Sequence, residues 1–306
     1  MNESYTETDL IIVGAGTAGL TAAIYACRAG KKVIVFEAVS YGGQIINSPD
    51  VENYPGMAHV SGFDFAMALY EQATGLGAEI RMEKVQSVID RGEEKTVVTG
   101  SGEYHCKAVI LATGAKNRPL GLEKEQSLIG AGVSYCATCD GNFYRGKTVA
   151  VNGGGNTALE DALYLAEICE TVYLIHRRDA FRGDKKEVEA LKQKDNVRFV
   201  LNSTITKLIG EERIEGVTVR NKMTGEEQIL SVSGLFIAIG QMPDNQAFAD
   251  LVDLDESGYI CAGEDCRTRT PGIYVAGDCR TKTLRQLTTA AADGAIAAVA
   301  ACADIS

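Results

Sequence analysis

Two copies of one glycine-rich pattern constrain the fold of this chain more than any other feature of its sequence. The first copy follows an apolar stretch at residues 10–13 and reads G-x-G-x-x-G, at Gly14, Gly16 and Gly19. The second follows the apolar stretch 148–151 and reads G-x-G-x-x-A, at Gly153, Gly155 and Ala158. Each copy precedes a helical stretch and a second apolar strand. Two such strand–helix–strand units predict two dinucleotide-binding modules, with pyrophosphate at each helix N-terminus.

The two modules differ at the residue where the second strand ends. In both copies 18 residues separate the last fingerprint position from this residue, which is Glu37 in module one and His176 in module two. A carboxylate there accepts hydrogen bonds from a ribose 2′-hydroxyl. Module two instead has a basic cluster, and guanidinium groups bind a 2′-phosphate. The cluster therefore predicts NADPH in module two and the other dinucleotide in module one, the alternative being a solvated basic face. Its members are His176, Arg177, Arg178 and Arg182.

The order of the remaining strand-like segments predicts that one module is inserted into the other. Apolar segments at 107–114 and 234–240 each fall near the end of a module, and a further strand at 271–276 precedes a helical stretch at about 285–303. We expect an α/β fold with two Rossmann-like dinucleotide-binding domains, in which module two, the predicted NADPH domain, is inserted into module one. The predicted boundaries are 1–116 and 247–306 for the first domain and 117–246 for the second.

Composition excludes some function classes. The chain has 30 basic and 41 acidic side chains, a net charge of −11. Such an acidic chain is not expected to bind nucleic acid or an anionic membrane surface. The leader 1–9 lacks the basic and apolar regions of a secretory signal, and the apolar stretch 295–303 is too short to span a bilayer. We therefore expect a soluble, cytoplasmic protein.

A C-x-x-C pair precedes the first strand of module two. Cys136-Ala-Thr-Cys139 near a βαβ pattern is typical of a redox disulfide. Two alternatives are a structural zinc site and two unrelated thiols; zinc requires four ligands, and the chain has no second C-x-x-C and only three histidines, so no metal is expected. Asp140 is either a solvated carboxylate or a proton donor for the thiol chemistry. The other seven cysteines are interpreted as small buried apolar residues.

These features together resemble the low-molecular-weight thioredoxin reductases over essentially the whole chain. Besides both fingerprints and the C-x-x-C-D sequence, the shared motifs lie at residues 42–44, 51–56, 112–114, 176–182, 276–278 and 285–286. Two residues of module two depart from the family pattern. Asn152 is polar where the strand usually ends with an aliphatic residue, and Asp184 places an acid near the predicted phosphate site.

The resemblance implies FAD in module one, NADPH in module two, a homodimer, and thioredoxin or a thioredoxin-like protein as partner. It implies that Cys139 faces the flavin, that Cys136 attacks thioredoxin, and that a domain rotation alternates the two half-reactions. The implied catalytic residues are Cys136, Cys139 and Asp140. The implied FAD residues are Gly14, Gly16, Gly19, Glu37, Gly43, Gln44, Asn53, Thr113, Gly114, Gly277, Asp278, Arg285 and Gln286. The implied NADPH residues are Gly153, Gly155, Asn156, Thr157, His176, Arg177, Arg178 and Arg182.

Three other functions share part of this pattern. A flavin dithiol oxidase and a ferredoxin-fed thioredoxin reductase keep the C-x-x-C pair but lack the basic cluster. A redox sensor that signals without turnover does not need the complete relay from dinucleotide to dithiol. The presence of both features favours the NADPH-dependent thioredoxin-disulfide reductase.

Overall fold

The computed structural model describes residues 7–48 and 50–305, so the first six residues of the leader lie outside the described part. The chain forms two compact units. Unit 1 comprises the described residues up to Lys116 and from Met242 onward, and unit 2 comprises Asn117–Gln241. The sequence placed the second boundary at residue 246.

The first part of unit 1 contains a βαβ unit, a second helix and an antiparallel extension of the sheet. Its helix α1 is rich in alanine and begins after Gly16, which has no side chain that could cap it. The elements are β1 (Glu7–Val13), α1 (Thr17–Arg28), β2 (Val33–Phe36), α2 (Gly62–Gly75), β3 (Glu79–Arg81), β4 (Val85–Asp90), β5 (Lys95–Thr99), β6 (Glu103–Leu111) and β7 (Ala115–Asn117). A 3₁₀ turn covers Gly43–Asn47.

Unit 2 repeats the βαβ unit and adds a small antiparallel sheet. Its elements are α3 (Glu125–Leu128), β8 (Val133–Ser134), α4 (Ala137–Asp140), β9 (Thr148–Gly153), α5 (Asn156–Ile168), β10 (Thr171–Ile175), α6 (Lys185–Lys192), β11 (Val197–Val200), β12 (Ser203–Ile209), β13 (Gly216–Asn221), β14 (Glu227–Ser231) and β15 (Gly234–Ala238). The chain then returns through β16 (Gln241–Pro243) to β17 (Ile273–Val275) and α7 (Leu287–Asp304) of unit 1.

The sheet of unit 1 brings the predicted site residues to one edge. Its strand order is β3-β2-β1-β6-β5-β4, and β17 also pairs with β6. The strands β3, β2, β1, β6 and β17 are parallel, and Val13 lies opposite both Phe36 and Leu111. The carboxyl ends of β1, β2, β6 and β17 therefore align, and ligands of open α/β sheets bind outside such an edge.

Unit 2 has the same arrangement in its five-stranded sheet. The order is β11-β10-β9-β15-β8 with all neighbours parallel. Gly153 lies opposite Ala238, and Asn152 lies opposite Ile175. The strands β12, β13 and β14 form a separate antiparallel sheet. The α/β class with two Rossmann-type units is confirmed.

The last helix, α7, is longer than the apolar stretch noted in the sequence. Its 18 residues are long and apolar enough to cross a membrane by length and composition alone. In the structure α7 instead packs closely on α1, since a Cβ built at Gly294 lies 2.2 Å from the carbonyl oxygen of Ala18. It also buries a charged residue, Asp293. We interpret α7 as a core helix of unit 1.

Candidate cofactor sites and redox centre

The glycine turn after β1 leaves backbone amides available at the start of α1. Gly14 has φ +109°, and a Cβ built there lies 2.3 Å from the carbonyl oxygen of Ala112. Gly16 bridges to Gly42, and a Cβ built at Gly43 lies 3.2 Å from the Cα of Gly16. No side chain caps α1. Free amides and the helix dipole make this turn suitable for a pyrophosphate.

Glu37 is fixed beside this turn by backbone hydrogen bonds. One carboxylate oxygen accepts the N–H of Ala15 at 2.9 Å, and the other accepts the N–H of Val39 at 2.9 Å. Because Ala15 lies between two fingerprint glycines, the carboxylate is held at the position where a ribose is expected.

Two predicted FAD residues that are distant in sequence meet in unit 1. The Asn53 amide donates to the Gln286 side chain at 3.2 Å. Gln286 caps α7 in a capping box with Thr289. The Gln44 amide donates to the carbonyl of Ala115. Arg285 lies 4.0 Å from the ring centre of Tyr259.

Asp278 carries an unsatisfied oxygen. It follows Gly277, whose φ of +83° turns the chain after β17, and a Cβ built at Gly277 lies 2.8 Å from the Cβ of Ala18. Among the described residues, the buried Oδ1 of Asp278 has no hydrogen-bond partner. Burial raises the pKa of this carboxyl. A buried polar atom without a partner is costly, so a ligand hydroxyl is expected here. The residues of unit 1 therefore fit FAD.

Asp293, which no sequence motif marks as a site residue, holds the Gly277 turn. Its carboxylate accepts the Gly277 N–H at 3.0 Å, two bonds from Arg280 at 2.8 Å, and one from Lys282 at 2.8 Å. Burial opposes ionisation, but the hydrogen bonds from these two cations hold the pKa of Asp293 below its usual value. The sequence feature that could have indicated Asp293 is its position as a single acid within the alanine-rich stretch 287–303.

Asn245 was also missed. It is almost fully buried, and its amide donates to the carbonyls of Gly258 and Cys279 at 3.0 and 2.9 Å. Its side-chain oxygen accepts the Thr113 hydroxyl at 2.8 Å. Asn245 thus ties the end of β6 to the segment after β17. The sequence placed it in the inserted domain, whereas it lies in unit 1.

The redox pair lies at the start of α4 in unit 2. Cys136 and Cys139 form a disulfide with a Cα–Cα distance of 5.3 Å. The Ser134 hydroxyl accepts the Cys136 N–H at 3.0 Å and donates to the Asp140 carboxylate at 2.6 Å. The predicted disulfide is therefore present, and one hydroxyl connects it to the neighbouring acid.

Asp140 is a half-buried acid suited to holding a proton. Burial raises its pKa, although the Ser134 hydrogen bond acts in the opposite direction. In the described part of the chain its second oxygen, Oδ1, is buried without a partner. A raised pKa favours the protonated form that a general acid requires.

The glycine turn of unit 2 is supported by His176 from beneath. A Cβ built at Gly153 lies 2.3 Å from the carbonyl oxygen of Ala238, and one at Gly154 lies 2.2 Å from the His176 ring. His176 is buried and stacks on Phe181 at 5.2 Å, and burial lowers its pKa. Its ring therefore lies under the turn, away from solvent.

The arginines of the basic cluster are exposed. Arg177, Arg178 and Arg182 all reach solvent. The backbone N–H of Arg182 donates to the Gly154 carbonyl at 2.8 Å, and the Arg182 guanidinium lies 4.0 Å from a Cβ built at Gly155. At least Arg182 is therefore held beside the glycine turn, where a nucleotide phosphate is expected.

The acid Asp184 near this cluster has a structural partner. Its carboxylate caps α6 by accepting the Lys186 N–H at 2.8 Å, and its own N–H donates to the Asn156 side chain at 3.0 Å. Asn156 and Thr157 are exposed at the start of α5, and Asn152 is buried at the end of β9. Asp184 thus joins α6 to the start of α5.

The remaining cysteines are mostly buried, as expected. Cys106, Cys169, Cys266, Cys279 and Cys302 are buried, and Cys27 is half-buried. Cys261 is exposed, contrary to that expectation.

Comparison with known proteins agrees with this geometry. Residues 8–294 match the pyridine nucleotide-disulphide oxidoreductase family. The chain is 43% identical over 301 residues to a thioredoxin reductase of Mycolicibacterium smegmatis, covering 98% of this chain and 97% of that protein. It is 44% identical over 294 residues to a bifunctional thioredoxin reductase/thioredoxin of Mycobacterium leprae, covering 95% of this chain but only 64% of that protein.

A solved structure of a thioredoxin reductase is also similar to this chain. The crystal structure of thioredoxin reductase from Streptococcus pyogenes superimposes with a TM-score of 0.93 at 39% identity, covering 98% of this chain and 99% of that chain. Proteins of this type use FAD and NADPH. The chain therefore belongs to the thioredoxin reductases within the pyridine nucleotide-disulphide oxidoreductase family.

Proposed function

We propose that this chain passes electrons from NADPH, through FAD and the Cys136–Cys139 disulfide, to the disulfide of thioredoxin or a thioredoxin-like protein. The observation that carries the proposal is the redox disulfide beside the half-buried acid Asp140, in the same unit as a glycine turn with exposed arginines. Bifunctional thioredoxin reductase/thioredoxin among the relatives supports thioredoxin as the partner.

Unit 1 is proposed to bind FAD and unit 2 to bind NADPH. In unit 1 the amides at the start of α1 bind pyrophosphate, Glu37 binds the adenosine ribose, and Asp278 accepts a hydroxyl. The remaining part of the cofactor would be held by Asn53, Gln286, Gln44, Arg285 and the turn at Thr113-Gly114. Bound FAD supplies two-electron transfer between the nucleotide and the disulfide.

In unit 2 the proposed residues bind the nucleotide and carry the thiol chemistry. Arg177, Arg178 and Arg182 bind the 2′-phosphate through charge-assisted hydrogen bonds, and His176 supports the turn. The two-electron reduction of the Cys136–Cys139 disulfide yields a dithiol.

The dithiol then reduces the partner. The Cys136 thiolate attacks one sulfur of the partner disulfide, and the other sulfur leaves as a thiolate and takes a proton. Cys139 then attacks the mixed disulfide, which releases the reduced partner and restores the Cys136–Cys139 bond. Asp140 is proposed to supply and accept the proton that accompanies these steps.

We further propose a cytoplasmic homodimer. The homodimer follows from the resemblance to the family, and the cytoplasmic location from the catalytic role proposed for the Cys136–Cys139 disulfide, since disulfides of cytosolic proteins are commonly catalytic. Sedimentation analysis of the purified chain tests the dimer directly.

Anaerobic titration with NADPH and then NADH, followed by flavin absorbance, tests the cofactor assignment. We expect NADPH to bleach the flavin far better than NADH. Bleaching by neither nucleotide would favour a ferredoxin-fed reductase or an oxidase, and rapid oxygen consumption would favour the oxidase.

The cysteine variants test the relay. Cys136→Ser and Cys139→Ser should abolish thioredoxin reduction because each removes one sulfur of the disulfide. Both should retain NADPH-driven reduction of an artificial one-electron acceptor. A variant that reduces thioredoxin at the parent rate would contradict the relay.

A further inference from the structure

Ser134 lies at a fixed place two residues before the redox pair. It is the last residue of β8, it lies opposite Phe236 of β15, and it is almost fully buried. The strand pairing fixes its backbone and the surrounding packing fixes its side chain. The hydroxyl can therefore act only on its immediate neighbours.

The Ser134 hydroxyl makes three contacts around the redox pair. Its Oγ accepts the Cys136 N–H at 3.0 Å, lies 2.6 Å from Oδ2 of Asp140, and lies 3.3 Å from the carbonyl oxygen of Cys136. A hydroxyl has one proton to donate, and the contact with Asp140 has the length of a charge-assisted O–H···O⁻ hydrogen bond. The Ser134 proton is therefore donated to Oδ2 of Asp140.

The two carboxylate oxygens of Asp140 thus have different surroundings. Oδ2 accepts the Ser134 hydroxyl, whereas the buried Oδ1 has no hydrogen-bond partner among the described residues. A protonated carboxyl has one O–H donor and keeps one acceptor oxygen. Since Oδ2 already accepts a proton from its neighbour, the proton of the carboxyl itself is expected on Oδ1.

We propose that Ser134 is a positioning residue of the redox centre: its hydroxyl holds the Asp140 carboxyl through Oδ2 and leaves Oδ1 to carry the proton that Asp140 exchanges during the disulfide chemistry. This inference rests on the proposed function, in which Asp140 supplies and accepts that proton. Ser134 lies outside the residues implied by the family resemblance.

The same hydrogen bond opposes the effect of burial on Asp140. Burial disfavours the charged carboxylate and raises its pKa, whereas the hydroxyl of Ser134 stabilises the carboxylate and acts in the opposite direction. Without this hydroxyl Asp140 would keep its proton to a higher pH. Ser134 is thus expected to influence both where the proton lies and how readily it leaves.

Other titratable groups pack around Asp140 and must be distinguished from it. In the turn that follows α4, burial and then Asp140 raise the pKa of Tyr144 to about 12, and Lys147 lies 5.6 Å from the centre of the Tyr144 ring. On α5, Tyr164 packs against the same turn. Burial and then an acidic neighbour raise the pKa of Asp161, also on α5, to about 7. Asp161 therefore has a carboxyl signal of its own, which the experiment must subtract.

The residue between Ser134 and Cys136 is held independently of the Ser134 hydroxyl. The Tyr135 hydroxyl donates to Glu125 at 2.6 Å. Glu125 is buried and also accepts the backbone N–H groups of residues 120–122. Removal of the Ser134 hydroxyl therefore leaves these anchors of the segment in place.

The test measures the protonation of Asp140 in the FAD-bound full-length protein with its disulfide intact. Infrared difference spectra between each chain and the same chain carrying Asp140→Asn isolate the carboxyl band of Asp140, which is followed as a function of pH. Ser134→Ala should raise the midpoint of this titration by about one unit, a tenfold change in the acid dissociation constant, because a donor to the ionised form is lost.

Two further variants separate the hydroxyl from packing. Ser134→Thr keeps a hydroxyl on a residue that suits a β-strand, so it should restore the parent midpoint. Ser203→Ala is the matched control, because Ser203 is equally buried in unit 2 but donates to the Leu201 carbonyl at 2.8 Å. It should leave the midpoint of Asp140 unchanged.

Three results would overturn the proposal. One is a Ser134→Ala midpoint that equals that of the parent. Another is a Ser134→Thr midpoint that equals that of Ser134→Ala, which would assign the shift to packing. The third is an equal shift in Ser203→Ala.

The position of the band in the parent chain covers the case in which Ser134→Ala does not fold. A carboxyl C=O that accepts a hydrogen bond absorbs at a lower frequency than one without a partner. With the proton on Oδ1, the C=O oxygen is Oδ2, which accepts the Ser134 hydroxyl, so the lower frequency is expected. A band at the frequency of a carbonyl without a hydrogen bond would place the proton on Oδ2 and overturn the proposal without any Ser134 variant.

The infrared measurement uses neither NADPH nor thioredoxin, so its failure is distinguishable from failure of the proposed function. A chain that shows the expected infrared shift but does not reduce thioredoxin would contradict the proposed function and still support the hydrogen-bonding role of Ser134.

Discussion

At both glycine turns of this protein a side chain would clash with a backbone carbonyl oxygen, but the two turns have different backbone conformations. A Cβ at Gly14 or at Gly153 would lie 2.3 Å from a carbonyl oxygen at the end of the neighbouring strand, that of Ala112 and Ala238 respectively. Gly14 also has φ +109°, which side chains rarely adopt, whereas the backbone of Gly153 is not left-handed. The third fingerprint position also differs: a Cβ built at Gly19 lies 1.9 Å from the carbonyl oxygen of Gly14, whereas unit 2 has Ala158 at this position.

The two units also differ in the residue that follows the second strand of each βαβ unit, where we propose that the choice of nucleotide is made. Glu37 in unit 1 is bound by two backbone amides, which fixes a carboxylate beside the turn. His176 in unit 2 lies buried beneath its turn, and the residues after it are exposed arginines. A repeated scaffold thus receives its specificity from a few residues after one strand.

Each unit also holds a half-buried acid, Asp140 or Asp278, with one oxygen that has no partner among the described residues, and exchanging these acids for amides should give the largest effects. Asp140→Asn should slow thioredoxin turnover by about 10²–10⁴-fold, the range for one general acid, while FAD content stays normal. Asp278→Asn should lower FAD content while the Cys136–Cys139 disulfide still forms. Turnover rates, flavin absorbance and thiol counts distinguish the two. An unaltered rate in Asp140→Asn would assign that residue to a structural role.

The next prediction compares the two glycine turns by their stability. Gly153→Ala should destabilise the protein by about 1–3 kcal/mol, the usual range for an overpacked site. Gly14→Ala should cost more, because about 1–3 kcal/mol of backbone strain adds to the same clash. Unfolding of both variants in denaturant, with Gly77→Ala as a control that meets no atom within 4 Å but shares a positive φ, separates strain from overpacking. Equal losses at Gly14 and Gly153 would contradict the difference between the turns.

A smaller effect is expected from the basic cluster. Arg177→Ala and Arg182→Ala should each weaken the binding of NADPH about ten- to hundredfold, since charge-assisted hydrogen bonds contribute about 1.5–3 kcal/mol. NADH, which lacks the 2′-phosphate, should be nearly unaffected. Measured dissociation constants of both nucleotides test this prediction. An equal loss of affinity for NADPH and NADH would contradict the proposal that these arginines bind the 2′-phosphate.

The sequence predicts the parts of this protein that local patterns encode. The repeated fingerprint predicts both βαβ units because a glycine turn, an apolar strand and a helix lie within 30 residues of each other. The C-x-x-C pair is similarly local. Asn245 and Asp293 escape such patterns, because each acts through partners that only the folded chain brings close. Asn245, for example, bonds Thr113 across 132 residues.

The smallest expected effect is the contribution of His176 to the pH dependence of stability. It tests whether the His176 ring lies buried beneath the glycine turn of unit 2. Burial lowers its pKa in the folded protein, so between that value and about 6.5 the unfolded chain binds more protons than the folded one. Stability should therefore fall as the pH decreases through this window, and it should be fully present above it.

Replacing the ring by an aromatic side chain that does not titrate isolates this term. His176→Phe keeps an aromatic ring against Phe181, where the two rings stack at 5.2 Å, and removes the proton. The difference in Tm between His176→Phe and the parent should shift in favour of the variant by about 2 °C or less as the pH falls from 7.5 to 5.5. Arg178→Gln serves as the control, because it removes a neighbouring exposed charge but leaves the buried imidazole. A Tm difference that does not change with pH would mean that His176 does not stay neutral beneath the turn, and the contrast with the fixed carboxylate of Glu37 would lose its basis.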